Sequence, residues 1–493
     1  MDSFLQQLTR GNAIYLIIVT GIGGTFQSGY HIAGLSSPSP FIQRFVNSSW
    51  FARYGEVPPP HTTTMIWSLI VSMFAVGGFL GLPVLESCLP SLEGERKKAM
   101  MCSSCIAIVA AVVILTSKMV ASFEMVIVAR VLHGFSGGLG SSIHLLYLGE
   151  ISPRKIRGMV TFTVTTFNCL GKLSGQLFGL SEILGREELW HVLLCVPACL
   201  AVVNILLLPL FPEAPRYLFI EKGDETACKK ALQSLWGPGD YKEEMEEMLV
   251  EQAAIEAAPP TTPLQLLRSR RARWALFTLF LIVTCNQMSG MAVSTFSYNL
   301  FYKAGMPKDR IRYVTLTIGA AEITTSLFGG SLMDYFGRRP LFCCGYGVMV
   351  VSWVLITVTV WFQDSAYWVP YLTVVFVVMV IVSFCGGPGG SVNTLNAEIF
   401  VQSERTAAVV MVGMQRWLMY GLMGLIFPFL IVALSSYCYV LFACSCLVGC
   451  LYTFFILPET KGKTVLEISE EFGAMSVCGM AAAKNKEPLE TAL

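Results

Sequence analysis

The feature that most constrains this chain is the recurrence of apolar, charge-poor stretches of about 20 residues, the length a helix needs to cross roughly 30 Å of hydrocarbon. Twelve such stretches can be marked, at 13–34, 64–86, 99–118, 121–149, 160–181, 190–210, 274–302, 313–335, 340–361, 367–399, 407–433 and 438–457. Lipid offers no hydrogen bonds to a backbone, so a spanning segment must satisfy its own amides, as a helix does. Hydrophobic residues fill 54% of the 493 positions and charged residues only 14%, a balance that a soluble chain does not need. The sequence predicts an all-α membrane protein of twelve transmembrane helices whose first partner is the lipid bilayer. A net charge of +1 provides no basic footprint for nucleic acid.

The sixteen cysteines sit mostly inside apolar stretches, as Cys343, Cys344, Cys385, Cys444, Cys446 and Cys450 do, and so suggest packing rather than a disulfide framework. Cys102 and Cys105 have redox or metal spacing, yet no second pair or histidine lies near them. With no nucleophile–base pattern, phosphate loop or metal cluster, the chain is expected to be neither an enzyme nor a cofactor or metal protein. Its first apolar run, Ile14 to Ile32, is too long for a signal core and lacks a clear cleavage site.

A polar stretch of about 60 residues separates the sixth and seventh apolar segments. The expected organisation is a six-helix half at 1–210, a linker at 211–273, a second half at 274–457 and a tail at 458–493. Within the linker, Glu221 to Lys230 and Tyr241 to Glu256 are rich in Glu, Lys, Ala and Leu around Gly237-Pro238-Gly239, which predicts short surface helices. Basic residues gather in alternate connections: Arg96, Lys97 and Lys98; Arg154, Lys155 and Arg157; Arg268, Arg270, Arg271 and Arg273; Arg338 and Arg339; Arg405; Lys461 and Lys463. The positive-inside rule places these connections, and both termini, in the cytosol, against one basic outer connection at Lys303, Lys308, Arg310 and Arg312. The first outer connection, 35–63, then carries Asn47-Ser48-Ser49, an acceptor for N-linked sugar.

The two halves echo one another. Gly94-Glu95-Arg96-Lys97 is matched by Gly337-Arg338-Arg339, Glu150 by Glu398, and Pro212-Glu213-Ala214-Pro215-Arg216 by Pro458-Glu459-Thr460-Lys461-Gly462, at offsets of 243, 248 and 246. Two pseudo-symmetric halves about an axis along the membrane normal form the architecture of carriers that rock around a central site. All three echoes fall at ends assigned to the cytosol, where opposite charges can pair across the halves.

These residues resemble the facilitative glucose transporters, sugar porters of the major facilitator superfamily. The resemblance runs from Gly21 to Thr464. It is carried by Gly29-Tyr30, Arg130, Tyr147-Leu148-Gly149-Glu150 with Pro153 and Arg157-Gly158, the Pro-Glu-Ala-Pro-Arg string, Gln287-Met288-Ser289-Gly290, Asp334 with Gly337-Arg338-Arg339, and Pro-Glu-Thr-Lys-Gly-Lys-Thr at 458–464. Gly21 to Gln27, Trp67 to Ser72, Glu322 and the lack of a tryptophan after Gly387-Pro388 are similar to the fructose-transporter subclass.

The resemblance implies the major facilitator fold and facilitative uniport of a hexose, glucose or fructose, by a protein functional as a monomer in the cell membrane. A sugar both donates and accepts, so its site needs amides, hydroxyls and aromatic faces. The resemblance points to Gln176, Gln287 and Asn393 as sugar ligands, with Tyr30 and Trp417 as aromatic walls. It implies inner-gate pairs of Glu150 with Arg405 and Arg157 with Glu398, flanked by Asp334 and Arg338. Gly387 and Pro388 break the tenth helix, because proline lacks an amide donor and clashes with the preceding turn; in this family that region gates the site.

Several residues depart from the family pattern. Glu95 stands where an arginine is usual, and Met291 and Ala292 stand where an asparagine is expected. Lys172 and Arg416 lie within spans, where an ionised side chain must snorkel, pair or face water. His31 occupies a place where proton-coupled porters carry aspartate and can titrate near neutral pH, so proton coupling is one alternative. An anion or urate-like carrier using Arg416 and Lys172 is a second, and a non-transporting sugar sensor a third.

Overall fold

The computed structural model describes residues 11–91, 96–152, 157–257, 262–400, 402–461, 463, 467–468 and 471–472. Among the described residues there are helices and turns but no strand. Among the described residues, eight helices are long and apolar enough to cross a membrane: Pro60–Val84, Arg96–Met119, Phe123–Ile151, Trp190–Leu210, Arg338–Trp361, Val369–Asn396, Ala407–Ala433 and Ser435–Phe455. They supply spans two, three, four, six, nine, ten, eleven and twelve. The other four are broken or carry charge. Span one is Ala13–Gly23 followed by Thr25–Ala33, span five Arg157–Phe178, span seven Arg270–Asn286 and Ala292–Lys303, and span eight Lys308–Phe336. These four bring His31, Lys172, Gln176, Gln287 and Glu322 into the interior, and that polarity lowers their hydropathy.

The breaks have local causes. Gly24 ends the first piece of span one at φ −107°, ψ −107°, and Gly387 divides span ten at φ −115°, ψ −113°, directly before Pro388. Span seven is interrupted by a wide turn at Gln287–Met291. Small residues set the helix packing within each half, since a missing side chain lets backbones approach. A Cβ on Gly134 of span four would lie 1.8 Å from the Phe74 carbonyl oxygen of span two, and one on Gly171 of span five 2.1 Å from that of Phe26 in span one.

Two departures from the sequence reading lie outside the membrane segments. The connection at 35–63 is not a loop: it holds a helix, Ser39–Tyr54, ended by Gly55 in the left-handed region at φ 72°. The linker contains Glu225–Trp236 and Lys242–Ala257, close to the expected pair, and a third helix, Pro263–Arg268, which the sequence reading missed. Asp224 caps the first of these by accepting from the Ala227 amide at 2.9 Å, and Thr262 forms a capping box with Gln265 on the third. The linker is tied to the N-terminal half, because Trp236 Nε1 donates to the Ile151 carbonyl at 2.8 Å. The face carrying the linker is called the linker face below, and the other the opposite face.

Candidate substrate site and gates

The echoed motifs become two equivalent charge clusters on the linker face. In the N-terminal half, Arg96 Nη2 donates to Glu150 Oε1 at 2.7 Å, and the Lys97 amide donates to Glu213 at 3.3 Å. In the C-terminal half, Arg338 Nη2 donates to Glu398 Oε1 at 2.6 Å, and the amides of Arg338 and Arg339 donate to Glu459 at 3.0 and 3.1 Å. Gly337, at φ 89°, makes the turn that aims those two amides. Burial raises the Glu459 pKa, but the amides of Lys461, Arg338 and Arg339 outweigh it and hold the carboxyl below its ordinary value. Each cluster thus ties its loop to the ends of two further spans within one half. Arg96 is a partner of Glu150, and Glu95 itself lies outside the described residues. The expected cross-half partners Arg157 and Arg405, and Asp334, have side chains outside the described residues.

On the opposite face the halves meet. Ser36 and Ser297 hydroxyls are 2.9 Å apart, and the Tyr298 amide donates to Ser36 Oγ at 3.1 Å. The Tyr313 hydroxyl donates to Glu182. Just inside this closure is a small cavity lined by Ser36, Ser37, Gln176, Tyr298, Arg312 and Thr315. Gln176 is 3% exposed, and neither its Nε2 nor its Oε1 has a hydrogen-bond partner among the described residues.

A second polar group lies in the C-terminal half. Gln287 Nε2 donates to the Arg416 carbonyl at 3.1 Å, and Arg416 Nη2 donates to Asn393 Oδ1 at 2.9 Å. Spans seven, ten and eleven therefore bring Gln287, Asn393 and Arg416 together. Trp417 follows on the same helix, and its indole stands edge-on to Phe74 of span two at 5.6 Å between ring centres. Met291 and Ala292, at the place of the expected asparagine, have side chains outside the described residues; just before them Asn286 donates to the Pro388 carbonyl at 3.2 Å and so links the wide turn to the break in span ten.

His31 joins the same wall from span one. Its ring lies 4.0 Å from that of His133, centre to centre, and 6.1 Å from that of Phe74. Arg130, buried at 1% exposure, lies 4.5 Å over the Phe74 ring and donates to the Ile70 carbonyl at 3.2 Å. Tyr30 points elsewhere. It is fully buried, its hydroxyl donates to the Leu193 carbonyl of span six at 2.9 Å, and its ring packs near Phe26 and Phe178. Successive helical residues diverge by about 100°, so Tyr30 and His31 cannot face the same space. The expected aromatic wall at Tyr30 is therefore a packing residue of the N-terminal half, and Phe74 takes the place beside Trp417.

Two of the intramembrane charges pair with each other. Lys172 Nζ of span five lies 3.2 Å from Glu322 of span eight, with side-chain exposures of 5% and 1%. Each residue stood out in the sequence, but nothing in one dimension joined them across 150 positions. Asn47 lies inside the helix Ser39–Tyr54, and its side-chain oxygen accepts from the Thr63 hydroxyl at 2.7 Å.

Two halves that meet at one end with polar groups between them fit a carrier, and the relatives agree. The family model described as sugar (and other) transporter matches residues 16–472. The chain belongs to the sugar transporter family. It is 40% identical over 471 residues to mouse facilitated glucose transporter member 9, covering 95% of this chain and 87% of that one. It is 38% identical to human member 11, covering 95% and 94%, and 36% identical to horse member 5, covering 93% and 91%. The fold matches the proton:xylose symporter XylE bound to 6-bromo-6-deoxy-D-glucose with a TM-score of 0.74 at 18% identity, over 93% of this chain and 99% of that one. The inward-open form of XylE from E. coli also superposes at a TM-score of 0.74, at 17% identity and the same two coverages. This sugar transporter is a multi-pass membrane protein of the facilitated glucose transporter group, a carrier rather than an enzyme.

Proposed function

We propose that this chain moves a hexose, glucose or fructose, down its gradient by uniport and alternating access. The observation that carries the reading is the Gln176 amide, buried between the halves with donor and acceptor both unpaired among the described residues. A buried amide left without partners is unfavourable by roughly 1–3 kcal/mol, which a pair of sugar hydroxyls, each able to donate and accept, would relieve. Gln287, Asn393, Arg416 and Trp417 form the facing wall. His31 supports uniport over proton coupling: among the described residues its neighbours are His133, Arg130, Tyr30 and Phe74, with no carboxylate.

The same reading assigns the linker face and both termini to the cytosol of a cell-membrane protein active as a monomer, with halves at 1–210 and 274–457 around the linker at 211–273 and a tail at 458–493. The pairs Glu150–Arg405 and Arg157–Glu398 close the cytosolic mouth in the opposite conformation, beside Asp334 and Arg338, while Gly387 and Pro388 flex. Asn47 is the glycan acceptor, modified before its helix packs. Glycosidase should lower the apparent mass of the parent made in a eukaryotic cell but not that of Asn47→Gln.

Labelled hexose uptake into proteoliposomes, with and without a pH gradient, tests the function. Uptake should be saturable and indifferent to the gradient. Gln176→Leu should fold normally yet lose roughly tenfold in uptake, as expected for two lost hydrogen bonds. The bond from Arg416 to Asn393 favours one second reading, an anion carrier. Arg416→Gln keeps an amide donor and should retain hexose flux; parent flux of urate without hexose would overturn the sugar assignment, and no flux of either would favour the sensor.

A further inference from the structure

The contacts between spans five and eight follow one antiparallel register from the opposite face to the middle of the membrane. Glu182, in the turn just past the end of span five, meets Tyr313; within the helices Gln176 lies against Gly319, and Lys172 meets Glu322. As one number falls the other rises, so the helices stay in contact along this stretch. Lys172 is one helical turn before Gln176, and Glu322 about one turn after Gly319. A Cβ on Gly319 would lie 2.3 Å from Gln176 Oε1 and 3.1 Å from the Leu173 Cα, so the amide is seated directly on the backbone of span eight. The ion pair lies one turn deeper and is almost wholly buried, in a medium where an ammonium and a carboxylate attract strongly.

From this register we propose that Lys172 and Glu322 are positioning residues for transport: a buried charge clasp that holds the seam of spans five and eight shut toward the opposite face and seats the Gln176 amide at the substrate. The clasp joins residues from different halves, so rocking that opens this end must loosen it. The part concerning Gln176 rests on the carrier reading above; the part concerning the seam does not.

The test uses full-length protein carrying Thr315→Cys, which places a thiol in the cavity beside Gln176, with matched proteins lacking that substitution to subtract native thiols. Maleimide labelling in detergent reads closure without requiring transport. Labelling of Cys at 315 should be slow in the parent and several-fold faster in Lys172→Met/Glu322→Leu, which removes both charges together and leaves neither orphaned. The reversed pair, Lys172→Glu/Glu322→Lys, should label nearly as slowly as the parent. Hexose uptake without the Thr315 substitution should show a raised KM in the apolar variant and recovery in the reversed one. Parent-like labelling of the apolar variant, or reversal no better than removal, overturns the clasp. Unchanged KM despite faster labelling overturns the seating of Gln176. Absence of uptake in every protein, parent included, with the labelling order intact, refutes the carrier reading and leaves the clasp standing.

Discussion

Two of the seams that join the halves are built from opposite materials. Spans two and eleven meet through small and aromatic residues: Trp417 lies over Gly78, Gly421 against Ala75, Gly424 against Val71, and Gly413 against Leu82. Spans five and eight meet through Gln176, Gly319, Lys172 and Glu322. The seams are counterparts, since Gly319 comes 241 positions after Gly78 and Trp417 comes 241 after Gln176. By the same offset, Gly413 and Gly81 stand where the other seam has Lys172 and Glu322. One shared geometry, a large side chain lying on a glycine, carries an amide on one side and an indole on the other. The contrast separates two jobs: an apolar seam associates by close packing, whereas a charged one holds a defined register and answers to polar ligands.

The sharpest way to break the contrast is to remove one charge only. Lys172→Met leaves the Glu322 carboxylate buried without its ammonium, and should destabilise the fold by about 3–5 kcal/mol, far more than the paired apolar replacement. Thermal unfolding of the two purified proteins compares them. Equal losses would mean that the charges do not depend on each other.

A smaller effect should distinguish the two glycines. A Cβ at Gly78 would lie 2.5 Å from the body of the Trp417 indole, a rigid ring that also stands edge-on to Phe74, so Gly78→Ala should destabilise by about 1–3 kcal/mol. At Gly319 the nearest obstacle is the end of the Gln176 side chain, which can rotate away. Gly319→Ala should therefore change stability less and hexose KM more. If both variants lose stability alike and keep their KM, the polar seam has no special link to substrate.

The repeat was legible because it is a property of spacing, and the structure turned each echo into a contact: Arg96 with Glu150 matches Arg338 with Glu398. The twelve spans were legible for the same reason, although four of them barely announce themselves by hydropathy. The helix at Ser39–Tyr54 was not, because its mixture of aromatic and basic residues, Phe41, Arg44, Trp50 and Arg53, resembles a polar loop. Tyr30 failed for a geometric reason: a motif marks a residue, while the direction of its side chain depends on a helix's rotation against Leu193.

Sequence alone determined that this chain spans a membrane repeatedly, in two related halves, with amides and aromatics inside. Lipid cannot hydrate a backbone, and that single constraint writes itself into hydropathy, loop charge and repeat spacing. Only the tertiary structure decided which buried groups meet. Lys172 found Glu322 and Arg416 found Asn393 because helix rotation and register, set by contacts along whole spans, place side chains that are far apart in sequence within bonding distance.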